Sequence, residues 1–177
     1  MIYNNILEAM GHTPMVRLSR MHEPGSADIL VKVEALNVGG SIKTRTALNM
    51  IEEAEDAGLL GPDSVIVEPT SGNQGIGLAL VGAVKGYRTV IIMPDSVSIE
   101  RRALVQHYGA ELRLVHDAGD IGQCIEECVE TAMRMKQVFL DDMQHCTLAN
   151  EHVSRHPGRP FGRRLWESIT RLLSPLL

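Results

Sequence analysis

A lysine near the beginning of a predicted helix could carry out covalent chemistry. Ser41 is a plausible N-cap, so Lys43 falls in the first turn of the helix that follows. The positive end of the helix dipole and the unsatisfied N–H groups disfavour a cation there and favour the neutral, nucleophilic amine. An amine of this kind is suited to condensation with an aldehyde. The alternative is a surface lysine whose long side chain swings clear of the helix end.

A second candidate is the segment at residues 70–75, which joins a predicted strand to a predicted helix. Its hydroxyl, amide and glycine residues would present backbone N–H groups at a helix N-terminus, which is a common site for anions. The segment lacks the GxxxxGK[ST] pattern of a P-loop, and its glycines run in the reverse order of GxGxxG. We therefore predict a site for a small carboxylate or phosphate rather than for a nucleotide. The alternative is a tight turn that only packs the helix closely on the strand.

Both segments lie between elements that alternate along the chain. Short apolar runs, read as strands, are separated by helical segments of ten or more residues. This order predicts an α/β fold of three layers, in which a parallel sheet has helices on both faces. Ligands of such sheets bind beyond the carboxyl ends of the strands, where both candidate segments fall. The predicted strands are residues 29–33, 65–67, 89–93, 112–115 and 138–140, and the predicted helices are residues 41–57, 74–85, 98–108 and 121–136.

Composition excludes several classes of protein. The chain has 177 residues, 44% hydrophobic and 22% charged, which predicts a globular protein of one domain or two small lobes. Its net charge of −5 disfavours a nucleic-acid partner, and no apolar run approaches the roughly 20 residues that cross a membrane. Because neither a signal peptide nor a disulfide framework is recognisable, we expect a cytoplasmic protein. The three cysteines and scattered histidines form no recognised zinc pattern, so no metal is expected.

Two longer motifs resemble those of one enzyme family. Residues 37–43, NVGGSIK, resemble the cofactor-lysine motif of the cysteine synthases, which belong to the β-family of pyridoxal-phosphate enzymes. Residues 68–77, EPTSGNQGIG, resemble the substrate loop of the same family. Shorter matches extend the resemblance from residue 2 to about residue 140: NIL at 5–7, GHTPMVRL at 11–18, KGY at 85–87, ERR at 100–102 and YGA at 108–110.

The resemblance implies a fold type II pyridoxal-phosphate enzyme built of two lobes. Residues 1–36 would begin the larger cofactor lobe, and residues 37–144 would form the smaller, mobile α/β lobe with the substrate loop. Residues 145–177 would return in part to the larger lobe and end in a basic tail. The family's phosphate-binding loop and the hydroxyl partner of the pyridine nitrogen would fall after residue 177, so the chain looks C-terminally truncated. A homodimer is implied for the full-length family.

The resemblance also implies roles for individual residues. Lys43 would bind pyridoxal phosphate and later move the α-proton, and Asn73 would hydrogen-bond the hydroxyl group of its ring. The implied reaction is a β-replacement in cysteine biosynthesis, in which O-acetylserine and sulfide yield cysteine and acetate. The α-carboxylate of the amino-acid substrate would be held by the substrate loop and by one later amide: Thr70, Ser71, Gly72, Asn73, Gln74 and Gln144.

Several positions depart from the family's pattern. Val38 replaces the usual proline, Thr44 the usual aspartate and Gln74 the usual threonine, while His145 and Thr147 replace phenylalanine and asparagine. The longer amide at Gln74 crowds the carboxylate pocket and could change which amino acid fits. Two alternatives therefore stay open. One is a non-catalytic remnant that binds a carboxylate or a partner protein, and the other is a different β-family reaction such as serine or threonine deamination.

Overall fold

The structure, a computed structural model, describes residues 2–20, 23, 25–116 and 121–145, with side chains as far as residue 138. Short 3-10 turns lie at Ile6–Ala9, Glu34–Leu36 and Val38–Gly40. Within the described residues, no helix combines the length and the hydropathy that a membrane crossing requires. The strands and α-helices, in chain order, are β1 (Met15–Arg17), β2 (Leu30–Lys32), α1 (Lys43–Asp56), β3 (Val65–Pro69), α2 (Asn73–Lys85), β4 (Arg88–Pro94), α3 (Ile99–His107), β5 (Glu111–Val115) and α4 (Gly122–His145).

The centre of the fold is a three-stranded parallel sheet in the order β3–β4–β5. Its central strand is fully buried from Val90 to Met93. Because successive side chains of a strand point to opposite faces, Ile91 and Met93 pack against α1, α2 and α3, whereas Val90 and Ile92 pack against Cys124 of α4. Helices therefore cover both faces of the sheet, which confirms the predicted three-layer α/β architecture.

The parallel register brings the carboxyl ends of the three strands to one edge of the sheet. Pro69 of β3 pairs with Ile92 of β4, and Pro94 of β4 pairs with Val115 of β5. The segments that follow these strands therefore share this edge. The first of them is the segment at residues 70–74, named here the 70–74 turn, which leaves β3 and includes the first two residues of α2.

The first predicted strand forms, but it belongs to another sheet. β2 pairs antiparallel with β1, with Met15 opposite Lys32 and Arg17 opposite Leu30, and every residue of this two-stranded sheet is exposed. The expectation that residues 29–33 begin the parallel series is wrong. The partner strand has only three residues, which are too few for an alternating pattern to reveal it. The predicted division of the chain into lobes stays a prediction.

α4 is longer than the sequence indicated. The predicted strand at residues 138–140 is wrong, because α4 continues through it to His145. No glycine or proline occurs between Gln123 and His145, so nothing in this segment ends the helix. A run of three apolar residues cannot be assigned to a strand or to a helix by periodicity alone.

Two glycines of α2 let neighbouring segments approach it closely. A Cβ atom at Gly77 would lie 2.9 Å from the carbonyl oxygen of Lys43 and 3.2 Å from Cβ of Ala47. A Cβ atom at Gly75 would lie 2.5 Å from Cγ2 of Thr70. Neither position has room for a side chain. α2 therefore packs directly on the first turn of α1 and on the turn that leaves β3.

Adding a methyl group at Gly77 tests this packing. Gly77→Ala should lower the free energy of unfolding by about 1–2 kcal/mol, because the backbone of Lys43 must move and this costs more than the gain of about 1 kcal/mol in helix propensity. Urea denaturation followed by circular dichroism measures the change. Gly61→Ala is the control, since no atom lies within 4 Å of the added methyl group. The packing would be contradicted if Gly77→Ala were as stable as the unaltered chain.

Candidate active site

Lys43 is the first residue of α1, and its side chain is exposed. Its backbone N–H donates to Oγ of Ser41 at 3.2 Å, so the serine hydroxyl satisfies one of the free N–H groups at this helix end. Among the described residues, no carboxylate lies within ion-pair distance of the Lys43 ammonium. By contrast, Nζ of Lys85 lies 2.7 Å from a carboxylate oxygen of Glu55. The amine of Lys43 is therefore available for a ligand.

The loop before Lys43 depends on two glycines and one buried asparagine. Gly39 and Gly40 have φ values of 77° and 72°, which lie in the left-handed region that glycine adopts without strain. The side-chain oxygen of Asn37 accepts hydrogen bonds from the backbone N–H groups of Gly11 and Val38, each at 3.0 Å. A Cβ atom at Gly39 would lie 2.3 Å from Oγ1 of Thr44. These contacts fix the path of the chain into α1.

The Thr44 hydroxyl is buried and has no hydrogen-bond partner among the described residues. It lies in the first turn of α1, directly after Lys43, at the position where the resembling motif usually has aspartate. A buried hydroxyl without a partner costs about 1–3 kcal/mol. This departure from the family's pattern therefore leaves a polar group unsatisfied beside the candidate lysine.

A charged cluster around Glu34 ties this loop to the start of the chain. Its carboxylate accepts two hydrogen bonds from Arg45 of α1, both at 3.0 Å, and one each from Oγ1 of Thr13 at 2.6 Å and Nδ2 of Asn37 at 2.9 Å. The Glu34 side chain is only 15% exposed. The hydrogen bonds from Arg45, followed by that from Thr13, lower the pKa of Glu34 to about 2. The sequence did not reveal this cluster because Thr13 and Arg45 lie 21 and 11 residues away from Glu34 along the chain.

The 70–74 turn presents polar groups at the carboxyl edge of the sheet. The backbone N–H of Thr70 donates to the carbonyl of Ile92 at 2.9 Å, which anchors the turn to β4. Ser71 and Asn73 are exposed, and Asn73 is the first residue of α2. A helix N-terminus leaves backbone N–H groups without intrahelical partners, and an anion can accept hydrogen bonds from them. The turn therefore has the donors that a carboxylate needs.

The remaining predicted binding residues are Gln74 and Gln144. Nε2 of Gln74 donates to the sulfur of Met50 at 3.5 Å, so this side chain links α2 to α1. Met50 itself is half exposed. The side chain of Gln144 lies outside the described residues, and its role stays a prediction. The structure thus places the backbone of Lys43 against Gly77 of α2, about one helical turn after the 70–74 turn.

Glu68 lies in β3, two residues before the 70–74 turn, and its surroundings shift its pKa in the direction opposite to that of Glu34. Its side chain is partly buried, and this burial raises the pKa of its carboxyl group. Burial, with a smaller contribution from the charge of Glu68, also raises the pKa of Cys128 on α4 to about 11. Cys128 therefore stays a thiol at neutral pH and is a poor nucleophile. Among the described residues, no group of histidine, cysteine and acidic side chains could hold a metal ion.

The charge of Glu34 should stabilise the fold at neutral pH. Because its pKa is about 2 in the folded chain and about 4.5 ordinarily, this contribution is complete above pH 4.5 and is lost as the pH falls toward 2. Glu34→Gln should therefore lower the melting temperature at pH 7, and the difference should shrink through that window. Thermal melts between pH 2 and 8 measure it, with the exposed Glu53→Gln as the control. A difference that did not change with pH would contradict the charged cluster.

The charge of Glu68 should have the opposite effect on stability to that of Glu34. Because its folded pKa is raised above 4.5, its ionisation destabilises the fold as the pH rises through and beyond that value. Glu68→Gln should raise the melting temperature at pH 7, and this gain should disappear at pH values below the ordinary pKa. The same melts measure it, and the same Glu53→Gln control applies. Destabilisation by Glu68→Gln at pH 7 would mean that the carboxylate has a favourable partner.

Similarity to known proteins is extensive. Residues 6–156 match the family described as pyridoxal-phosphate dependent enzyme. A cysteine synthase of Flavobacterium sp. is 50% identical over 132 residues, which are 75% of this chain and 43% of that protein. A probable cysteine synthase of Bacillus subtilis is 40% identical over 172 residues, 97% of this chain and 55% of that protein. The crystal structure of O-ureido-L-serine synthase is similar with a TM-score of 0.71 and 44% identity, covering 77% of this chain and 43% of that one.

The chain spans about half the length of these relatives. The match to the family covers both candidate segments, residues 37–43 and residues 68–77. The similar crystal structure supports the α/β architecture independently of the sequence motifs. Pyridoxal phosphate is the cofactor of the matched family. The chain belongs to the family of pyridoxal-phosphate dependent enzymes and, within it, to the cysteine synthase family.

Proposed function

We propose that this chain carries the lysine and the amino-acid-binding turn of a cysteine synthase-like enzyme. The reaction is the replacement of the acetate group of O-acetylserine by sulfide, which gives cysteine. One observation carries the proposal: the backbone of Lys43 packs on Gly77 of α2. Gly77 lies four residues after Asn73, which belongs to the 70–74 turn. Four residues of a helix span about 6 Å. The backbone of Lys43 and the 70–74 turn therefore lie close together, about one helical turn apart along α2.

The residues present fit pyridoxal phosphate on its aldehyde side. The Lys43 amine has no carboxylate partner among the described residues, so it is free to bond to the aldehyde. The amide of Asn73 is exposed at the start of α2 and could hydrogen-bond the ring hydroxyl. When bound, the cofactor supplies an electron sink for the pair of electrons that the Cα–H bond leaves behind. The protein contributes position and charge.

The 70–74 turn would hold the α-carboxylate of the substrate. Its donors are the hydroxyl groups of Thr70 and Ser71 and the free N–H groups at the N-terminus of α2, and Gln144 would add a further amide. The positive end of the helix dipole also favours an anion at this point. Holding the carboxylate fixes the Cα–H bond relative to the Lys43 amine, and such positioning lowers the barrier by removing rotational freedom.

Lys43 would then act as the acid–base group of the reaction. Once the amino group of O-acetylserine has taken its place at the aldehyde, Nζ would be free to accept the proton from Cα, and acetate would leave Cβ with the electron pair of the C–O bond. The sulfur of sulfide bonds to Cβ, and Nζ returns a proton to Cα. A positioned amine that takes and returns a proton typically contributes about 10²–10⁴-fold to the rate.

A different amino-acid substrate or a different nucleophile is the second candidate. The similar crystal structure is that of O-ureido-L-serine synthase, and Gln74 stands where the resembling motif usually has threonine. A changed side chain at the carboxylate pocket can change which amino acid fits. Serine or threonine deamination and carboxylate binding without catalysis are the remaining alternatives. The homodimer stays a prediction from the resemblance, and the cytoplasmic location stays a prediction from the absence of a recognisable signal peptide and disulfide framework.

Cofactor binding can be tested by absorbance. Titrating the purified chain with pyridoxal phosphate should produce an absorption band that the free cofactor lacks and that disappears in Lys43→Ala. Lys136→Ala, which removes a lysine from α4 on the opposite face of the sheet, is the matched control and should keep the band. If the band persisted in Lys43→Ala, another lysine would be the reacting amine.

Turnover distinguishes the alternatives. With O-acetylserine, sulfide and pyridoxal phosphate, the chain should form cysteine, and Lys43→Ala should lower the rate at least about 100-fold. Product analysis with sulfide or with a ureido compound as nucleophile, the latter chosen from the name of the similar crystal structure, and with serine or threonine alone, identifies which reaction is preferred. Cofactor binding without turnover on any of these substrates would favour the non-catalytic alternative.

A further inference from the structure

A side chain of α3 holds the 70–74 turn from outside. Nη1 of Arg101 donates to the carbonyl oxygen of Ser71 at 3.3 Å. The N–H of the same peptide unit, which belongs to Gly72, donates to Oγ1 of Thr70 at 3.2 Å. Both polar ends of the 71–72 peptide unit are thus engaged. We propose that Arg101 is a positioning residue that fixes this unit in the orientation suited to a carboxylate, which rests on the proposed function of the turn.

Packing does not fix the 71–72 peptide unit by itself. No atom lies within 4 Å of the position that a Cβ at Gly72 would take, and Ser71 is exposed. Glycine adopts φ values of either sign at little cost, so the peptide plane before Gly72 can take more than one orientation. The two hydrogen bonds therefore decide which way its carbonyl points.

The orientation of this unit decides what an anion meets. With its carbonyl held by Arg101, Ser71 keeps a partially negative oxygen away from the donors at the N-terminus of α2. The Thr70 oxygen accepts from Gly72, so its own O–H is free to donate to a carboxylate. If this peptide unit flipped, both hydrogen bonds would break. The Ser71 carbonyl would then point toward the N–H donors at the N-terminus of α2. Arg101 thus acts on the substrate through the turn and not by touching it.

Arg102, the next residue of α3, forms different contacts. Its Nε donates to the carbonyl of Val97 at 3.1 Å, and its Nη2 donates to the carbonyl of Asp95. These bonds hold the segment that follows β4 and do not reach the 70–74 turn. Arg102→Met therefore removes the same charge as Arg101→Met from the same helix without removing the contact to Ser71. It is a matched control for any effect of charge alone.

Amide hydrogen exchange at Gly72 tests the proposal without any ligand. Nuclear magnetic resonance of the labelled full chain should show exchange about five- to tenfold faster in Arg101→Met, as expected for the loss of about one hydrogen bond. Arg102→Met should keep the original rate, and Arg101→Lys, which can still donate to a carbonyl, should recover part of the protection. The proposal is overturned if Arg101→Met leaves the rate unchanged, or if Arg102→Met raises it equally.

Binding of L-serine gives the second readout, for the carboxylate. We expect its dissociation constant, followed by chemical shifts, to rise about five- to tenfold in Arg101→Met and to stay unchanged in Arg102→Met. Equal weakening by both variants that vanished in added salt would assign the effect to charge and contradict positioning. If the unaltered chain failed to bind L-serine, the proposed function would be weakened, while the exchange rates would still decide the role of Arg101.

Discussion

The contact between Gly77 and the backbone of Lys43 governs where two separate segments of the chain lie. Lys43 begins α1, whereas the 70–74 turn leads into α2, so local structure alone does not place one beside the other. Because Gly77 has no Cβ, α2 can rest on the carbonyl of Lys43. Gly75 likewise leaves room for the methyl groups of Thr70 and Ile91 beneath the turn. The free amine and the turn with its N–H donors are joined mainly by this packing.

Two carboxylates near the candidate site show how differently the fold treats charge. Glu34 is surrounded by donors from Arg45, Thr13 and Asn37, and these hydrogen bonds hold its pKa well below the ordinary value. Glu68 is partly buried, and burial raises its pKa. The first charge fixes the loop that precedes the lysine, because its partners come from three separate segments. The second lies beside the strand end that carries the turn, where ionisation is costly.

The local signals in the sequence were enough for the helices and for the strands of the parallel sheet. Gly72 and Asn73 of the 70–74 turn, and the serine before Lys43, mark helix starts through chemistry that acts within a few residues. Contacts between distant residues left no such mark. The hydrogen bonds from Arg45 to Glu34 and from Arg101 to Ser71 each join segments that no periodicity connects. The sequence did not predict the pairing of β2 with β1, because β1 has only three residues. It also did not predict the full length of α4, which continues past the predicted end to His145.

Chemical trapping tests most directly whether Lys43 is the reacting amine. The chain is mixed with pyridoxal phosphate, reduced with sodium borohydride and digested, and the labelled peptide is identified by mass spectrometry. We expect the label on the peptide that contains Lys43, because among the described residues no carboxylate holds its ammonium, whereas Lys85 is paired with Glu55. A label spread evenly over the lysines, or absent from Lys43, would contradict a reactive amine at the beginning of α1.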